Sequence, residues 1–206
     1  MSIQIKTIED INKITSSLYK NTDEQIKNLI ERYKLEIACH KGCSTCCSSL
    51  RVEILPPEAF FIGTHIKQIF TSEKISQLIA KLMLNDQRLR GKTLLESSNE
   101  NRQCAFLDNG ECSIYQYRPY KCRAFLASNS VQCLIDQCNS NQLPIIDNFL
   151  NAHGNLKKYI KTIQESKLDL SPAEMNNALS KILDSTTLES QYLSGEKKLF
   201  NELKYL

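Results

Sequence analysis

The sequence has no tryptophan and only six glycines, five prolines and three histidines among its 206 residues. No apolar run approaches the roughly 20 residues that a membrane-crossing helix needs, so no membrane partner is expected. The first residues, MSIQIKTIEDINK, carry acidic side chains and lack the apolar stretch of a secretory signal. Hydrophobic content of 41% and charged content of 24% are typical of a soluble globular protein. We therefore predict a cytoplasmic protein.

The sequence also lacks any tract rich in arginine and lysine, and its formal net charge is only +3. The excess lies in residues 39–140, which hold twelve basic and nine acidic residues. Eight thiolates there would change the net charge from +3 to −5, and two divalent ions would return it to −1. The basic residues are therefore interpreted as compensation for an anionic site, and nucleic-acid binding is not expected.

Cysteine, by contrast, is abundant. Nine are present, four of them in the run CHKGCSTCC at residues 39–47. An odd count in a reducing compartment disfavours structural disulfides. A single CxxC turn fits a redox dithiol or a metal site equally, but a second distant set favours a metal. The candidate ligands are Cys39, Cys43, Cys46, Cys47, Cys104, Cys112, Cys122 and Cys133.

All-thiolate coordination favours zinc or an iron–sulfur cluster over hard cations. The adjacent pair Cys46 and Cys47 leaves two alternatives, because successive side chains diverge along a backbone. Either one sulfur binds and the other packs nearby, or the two serve different metals in a two-centre site. Cys39, Cys43 and Cys46 also have the spacing of radical-SAM enzymes, but the predicted strand content is too small for that fold.

The segment CAFLDNGECSIY predicts a hairpin around Asp108, Asn109 and Gly110. A two-residue turn sends Cys104 and Cys112 to opposite faces, whereas a three-residue turn with a bulge places them on one face. The sequence leaves both registers open.

Charged and histidine side chains near the cysteines need a separate interpretation. Arg118, Lys121, Arg123 and Lys41 are expected around the metal ligands as cations that offset thiolate charge, or else on a solvated face. The histidines His40, His65 and His153 are expected on the surface or in the core rather than as ligands.

Periodic apolar residues predict helices before and after the cysteines. One pair spans residues 8–18 and 26–33, with a break at Asn21, Thr22 and Asp23. Two further helices are predicted before the second cysteine group, one from Pro56 to about residue 70 and one after a Ser72 cap. Three more are predicted after it: one from Pro144 with an interruption at Gly154, one after a capping box at residues 171–174, and one over residues 196–203.

These patterns predict a mostly α fold with an irregular cysteine-rich metal-binding centre and a short β-hairpin, packed by N- and C-terminal helices. We expect residues 1–206 to form a single domain. Within it, residues 1–35 are N-terminal helices, 36–140 the cysteine-cluster region and 141–206 the C-terminal helices.

The segments CHKGCSTCC, LRVEILPPEA and CAFLDNGECSIYQYRPYKCRAF, followed by Cys133, resemble the bacterial cysteine-cluster proteins of the zinc- or iron-chelating CxxCxxCC family. The resemblance covers about residues 36–200, and it implies that Tyr115, Arg118 and Arg123 surround the metal ligands as part of the family motif. Ala105 stands where the family usually has proline, Tyr192 where it often has tryptophan, and Cys138 is an additional thiol.

The resemblance implies a protein that chelates zinc or iron through its clustered thiolates. The alternative is an iron–sulfur enzyme, either a methyltransferase or a redox protein, because flagellin lysine methylases share a similar cysteine group. A third alternative is an adaptor that binds a protein partner through its terminal helices. We find no other motif of enzyme chemistry, so whether the protein is an enzyme is left open.

Overall fold

The computed structural model describes residues 4–48, 50–93, 96–97, 102–128, 146, 149–151 and 154–200. The described part is mostly helical, as the sequence predicts. Its α-helices are α1 (Ile8–Tyr33), α2 (Pro56–Ile69), α3 (Ser72–Leu89), α4 (Tyr120–Ala124), α5 (Leu156–Glu165), α6 (Met175–Asp184) and α7 (Leu188–Leu193). Its strands are β1 (Glu53–Ile54), β2 (Leu107–Asp108), β3 (Glu111–Cys112) and β4 (Ala173–Glu174).

The helix α1 is continuous over 26 residues, so the predicted break at Asn21, Thr22 and Asp23 is wrong. The hydroxyl of the buried Thr22 donates to the carbonyl of Leu18 at 2.8 Å, which lets a residue of low helix propensity remain inside the helix. Buried residues along one face of α1 pack against α2, α4 and α5. Tertiary packing outweighs the local preference for a turn.

Helix α6 packs against α2 and α3 to form the centre of the main hydrophobic cluster. Pro56 and Pro57 open α2 as predicted, whereas α3 is capped by Thr71 and not by Ser72. The backbone of α2 approaches α6 at Gly63, where an added Cβ would lie 2.5 Å from Cγ2 of Ile182. Only glycine fits at this contact without displacement.

Strand β1 pairs antiparallel with β4, so that Glu53 lies opposite Glu174 and Ile54 opposite Ala173. The predicted capping box at residues 171–174 is therefore wrong, because Ala173 and Glu174 belong to a strand. The helix begins two residues later than Ala173, and the side chain of Glu174 accepts a 3.1 Å hydrogen bond from the amide of Asn177.

The predicted hairpin is confirmed, and its register is the tight one. Leu107 pairs with Cys112, and Asn109 and Gly110 form the turn with φ of 49° and 82°. Cys104 lies outside the strand, in a turn closed by a 3.0 Å hydrogen bond from the Leu107 amide to the Cys104 carbonyl. Strand alternation therefore does not decide where the Cys104 side chain points.

The chain after residue 140 is described in part. The helical pattern is interrupted at Gly154, as predicted, before α5 begins. Residues 196–200 are not helical, so the predicted helix over residues 196–203 is wrong in its described part. In this segment the Lys198 amide donates to the Asp169 carboxylate at 3.0 Å. Cys133, Cys138 and His153 lie outside the described residues, and the single-domain assignment stays a prediction.

Within the described residues, no helix is both long and apolar enough to cross a membrane.

Candidate metal centre

The first cysteine group lies on a series of tight turns between α1 and β1. The amide of Cys43 donates to the His40 carbonyl at 3.0 Å, with Gly42 between them at a φ of 94°. A short 3₁₀ helix, Thr45–Ser48, then carries Cys46 and Cys47. These local hydrogen bonds keep the four thiols of the CHKGCSTCC run within one compact segment.

The second group reaches the first through the backbone. The amide of Cys104 donates to the carbonyl of Cys47 at 2.7 Å, across more than fifty residues of sequence. Cys112 follows on β3, and Cys122 lies in α4. All three pack against the main hydrophobic cluster. The distant cysteine segments that the sequence predicts to meet therefore do meet.

Charges of neighbouring thiols contribute to the raised pKa values of the second group: that of Cys46 acts on Cys104, Cys112 and Cys122. Burial is the main cause that raises the pKa of Cys104 to about 12, and the charges of Cys112 and Cys46 raise it further. The backbone amide of Phe106 and the charge of Arg102 oppose this rise. Burial likewise raises the pKa of Cys112, and that of Cys122 well above the usual range.

Cys46 also interacts with the rest of the first group. Its hydrogen bond with the Cys47 side chain is the largest cause that raises its pKa, followed by burial and by the charges of Cys47 and Cys43. The adjacent sulfurs of Cys46 and Cys47 thus lie close together.

Cys39 is held from a third direction. Its sulfur accepts a 3.2 Å hydrogen bond from the amide of Ala127, and the neighbouring Ala38 amide donates to the Ala127 carbonyl at 2.9 Å. Cys39 and Cys46 both pack against a small cluster formed by Phe125 and Ala127. The chain that follows α4 thus positions Cys39 beside Cys46.

The donor chemistry of this region fits a soft metal ion. All seven described cysteines are free and half-buried, and none is joined in a disulfide. Several neighbouring thiols with raised pKa values cannot all ionise unless a cation compensates their charge. Among the described side chains, no three Cys, His, Asp or Glu residues already form a site for an ion. Binding would therefore require the thiols to turn about their Cα–Cβ bonds.

The cations predicted around the thiolates have different surroundings. The guanidinium of Arg118 lies 3.9 Å from the ring centre of Tyr115, donates to the Tyr115 carbonyl at 2.9 Å, and lowers the pKa of Cys112 and Cys122 relative to burial alone. Lys121 lies 3.7 Å from Glu53. Lys41 is exposed.

Arg123 is buried and faces α1. Its guanidinium donates to Asp23 and to the carbonyl oxygens of Gln116 and Arg118. Burial lowers its pKa, and the charge of Asp23 opposes that shift. Arg123 thereby ties the loop before α4, and with it the position of Cys122, to α1.

Two features of this region were not anticipated from the sequence. Arg102 is buried, with 4% exposure, and its charge acts on both Cys104 and Glu174. Glu58 is buried in α2 and accepts hydrogen bonds from the hydroxyl of Tyr19 and the amide of Tyr120, both at 2.8 Å. Arg102 lies two residues before Cys104, so its position in the sequence could have indicated a role beside the cysteines. No comparable signal marks Glu58, because its partner Tyr120 lies 62 residues away in the sequence.

The two described histidines have different surroundings. His40 is exposed and contacts the Ala38 carbonyl at 2.8 Å, while His65 stacks near Tyr117, with ring centres 4.2 Å apart. Both positions are consistent with the surface and core roles expected from the sequence.

A family model with the description "Putative zinc- or iron-chelating domain" (CxxCxxCC) matches residues 38–142, which is about half of the chain. The chain belongs to this family. The part matched by the CxxCxxCC domain contains all nine cysteines, together with Tyr115, Arg118 and Arg123. No curated protein and no solved structure matches the chain.

Proposed function

We propose that this CxxCxxCC protein is a cytoplasmic metal-binding protein that chelates zinc or iron through clustered thiolates. The ligands would come from Cys39, Cys43, Cys46, Cys47, Cys104, Cys112, Cys122 and Cys133. Tyr115, Arg118 and Arg123 would surround them and hold or compensate the thiolates. The bound metal would join the two cysteine segments and fix the helices around them.

The observation that carries this proposal is the contact between the two cysteine segments, in which the Cys104 amide donates to the Cys47 carbonyl at 2.7 Å, in a chain of the zinc- or iron-chelating family. Buried neutral thiols would gain little stability from lying close together. A bound divalent ion would make their proximity favourable, because each thiolate would then form a metal–sulfur bond. A structural zinc site of this kind is worth about 10–16 kcal/mol in small domains.

The deciding experiment is anaerobic purification followed by elemental analysis and a visible spectrum. We expect stoichiometric zinc or iron in the wild-type protein and loss of most of that metal in Cys104→Ser. Cys138→Ser is the matched control, since Cys138 is the thiol outside the predicted ligand set, and it should retain the metal. Absence of metal from the wild type, even after anaerobic reconstitution with zinc or with iron and sulfide, would contradict the proposal.

The same spectrum separates the two functional classes. A colourless protein that contains zinc supports a structural metal site. A brown protein whose broad visible absorbance bleaches on reduction supports an iron–sulfur protein, for which the number of cysteines in excess of one tetrahedral site is the favouring observation. Calorimetry with S-adenosylmethionine then tests the methyltransferase version, which fails if no binding heat is detected.

A further inference from the structure

We propose that Asn85, a buried residue of α3, is a positioning residue for Cys104. The side-chain amide of Asn85 donates to the Gln103 carbonyl at 3.0 Å and so fixes the backbone from which the Cys104 side chain extends. This inference rests on the proposed function, because it assigns Asn85 a part in metal binding through Cys104. It adds a residue that would bind no metal itself.

The peptide between Gln103 and Cys104 is held from both sides. Its carbonyl oxygen accepts the hydrogen bond from Nδ2 of Asn85, and its N–H group donates to the Cys47 carbonyl at 2.7 Å. The C=O and N–H groups of a planar trans peptide point in opposite directions. This peptide therefore connects α3 on one side with the turn that carries Cys47 on the other, and loss of either hydrogen bond would let it rotate.

The peptide after Cys104 is fixed as well. The Cys104 carbonyl accepts a 3.0 Å hydrogen bond from the amide of Leu107. With both flanking peptides held, the φ and ψ angles of Cys104 are defined, and the direction of its Cα–Cβ bond follows from them. Rotation about χ1 is the freedom that the thiol keeps. Asn85 thus acts on where the sulfur can reach.

Asn85 is itself held firmly in the core. Leu82 and Leu89, one turn before it and one turn after it on the same face of α3, are 0% and 1% exposed. The next residue, Asp86, accepts a 3.2 Å hydrogen bond from the side chain of Asn177 on α6. The donor that holds the Gln103 carbonyl therefore sits on a well-anchored part of the molecule.

The side-chain chemistry at position 85 agrees with this role. Asparagine has low helix propensity, and burying its carboxamide is costly unless hydrogen bonds are formed. Asn85 is only 5% exposed, yet it lies inside α3 at a position where an apolar side chain would serve packing alone. The hydrogen bond to the Gln103 carbonyl gives a physical reason for a donor at this position.

The same helices also hold the first cysteine segment. The amide of Met175, the first residue of α6, donates to the Val52 carbonyl at 2.9 Å, shortly after the turn that carries Cys47. The two cysteine segments are thus fastened to neighbouring helices, one through α6 and the other through Asn85. Removing the Asn85 contact should loosen Cys104 relative to the first segment.

The test compares the wild type with Asn85→Ala in anaerobic, reducing buffer. In metal-free protein labelled with ¹⁵N-cysteine, NMR follows deuterium exchange of the Cys104 amide, whose signal is the one missing from Cys104→Ala. We expect this amide to exchange roughly 5- to 10-fold faster in Asn85→Ala, because its peptide has lost one of two contacts. Titration with cobalt(II) should show an affinity about 10- to 100-fold lower.

Asn177→Ala is the matched control. It removes a side-chain amide of the same size and similar burial from the same core, 3% exposed, and it breaks a contact to Asp86 rather than to Gln103. We expect lower thermal stability, exchange of the Cys104 amide near the wild-type rate, and cobalt affinity within about 3-fold of the wild type. If Asn177→Ala reproduces both losses of Asn85→Ala, general destabilisation explains them and the proposal is wrong.

Asn85→Leu separates the lost donor from the cavity. Leucine fills the space but cannot donate, so this variant should show the same fast exchange and weak binding; recovery would assign the effect to packing and overturn the proposal. Far-ultraviolet circular dichroism checks that the helices persist. Unchanged Cys104 exchange or unchanged cobalt affinity in Asn85→Ala would also overturn it. A wild type that binds no cobalt would contradict the proposed function, a result visible without any variant, and this inference would fall with it.

Discussion

The guanidinium carbon of Arg123 lies 4.2 Å from the centre of the Tyr19 ring, and so α4 is fixed on the middle of α1. The same guanidinium is held by Asp23 and by two backbone carbonyls, and the Tyr19 hydroxyl donates to Glu58. These contacts connect α1, α2 and α4 at the residue that follows Cys122. The position of Cys122 therefore depends on residues outside the cysteine groups.

We expect Arg123→Lys to lower the free energy of unfolding by about 1–3 kcal/mol, because an ammonium cannot reproduce the planar fork and leaves buried carbonyls without donors. Urea denaturation of both proteins measures the loss. The control is Arg88→Lys, an exposed position on α3 where the same change should have little effect. Equal stability of Arg123→Lys and wild type would show that the network is not structural.

The buried Glu58 makes stability depend on pH. Burial raises the pKa of Glu58, although the amides of Tyr120 and Leu55, the Tyr19 hydroxyl and the charge of Arg123 oppose that shift. The folded protein thus holds this proton more tightly than the unfolded chain. Its contribution to stability is fully present below the ordinary glutamate pKa of 4.5 and is lost as pH rises through the higher pKa of the folded state.

Comparison with Glu58→Gln isolates this group, since glutamine does not titrate. As pH is raised from about 4 to about 7, the wild type should lose stability relative to the variant. Denaturant unfolding of both proteins at each pH gives the difference, in which other titrating groups cancel. A difference that is constant, or that changes in favour of the wild type, would mean that Glu58 has no raised pKa in solution.

The close approach of α2 and α6 predicts a steric effect at Gly63. A Cβ at Gly63 would lie 2.5 Å from Cγ2 of Ile182, well inside ordinary van der Waals contact. We expect Gly63→Ala to destabilise the protein by about 1–3 kcal/mol, since overpacking outweighs the small gain in helix propensity. Thermal unfolding measures the change. Adding Ile182→Leu removes the branched methyl group and should recover part of the loss; no recovery would place the strain elsewhere.

Arg118 provides a test of charge compensation at the proposed metal site. Its charge lowers the pKa of Cys112 and Cys122, so Arg118→Gln should let protons compete more strongly for these sulfurs. We expect metal affinity at neutral pH to fall about 10-fold and the pH of half-maximal binding to move upward. Competition with a coloured chelator over a range of pH measures both quantities.

The matched control is Lys121→Gln, which removes a cation from the same segment. Lys121 pairs with the carboxylate of Glu53 at 3.7 Å. Metal affinity in this variant should stay near the wild-type value. If both variants weaken binding equally, net charge rather than the position of Arg118 is responsible.

The predictions that the structure confirms are those that depend on local sequence. Proline at the first turn fixes the start of α2, and Asn109 with Gly110 fixes the hairpin because both adopt positive φ. Clustered cysteines identify the chelating family. The wrong predictions were also local: a break after Asn21 and a capping box at residues 171–174 were reasonable patterns that distant partners overrode.

The sequence by itself determined a mostly helical fold, the hairpin and the family to which the chain belongs. Only the tertiary structure decided that β1 pairs with β4, that Arg102 and Glu58 are buried, and that the Cys104 segment contacts the turn that carries Cys46 and Cys47. The physical reason is that helix periodicity and turn chemistry depend on neighbouring residues. Contacts such as that of the Cys104 amide with the Cys47 carbonyl depend on how the whole core packs.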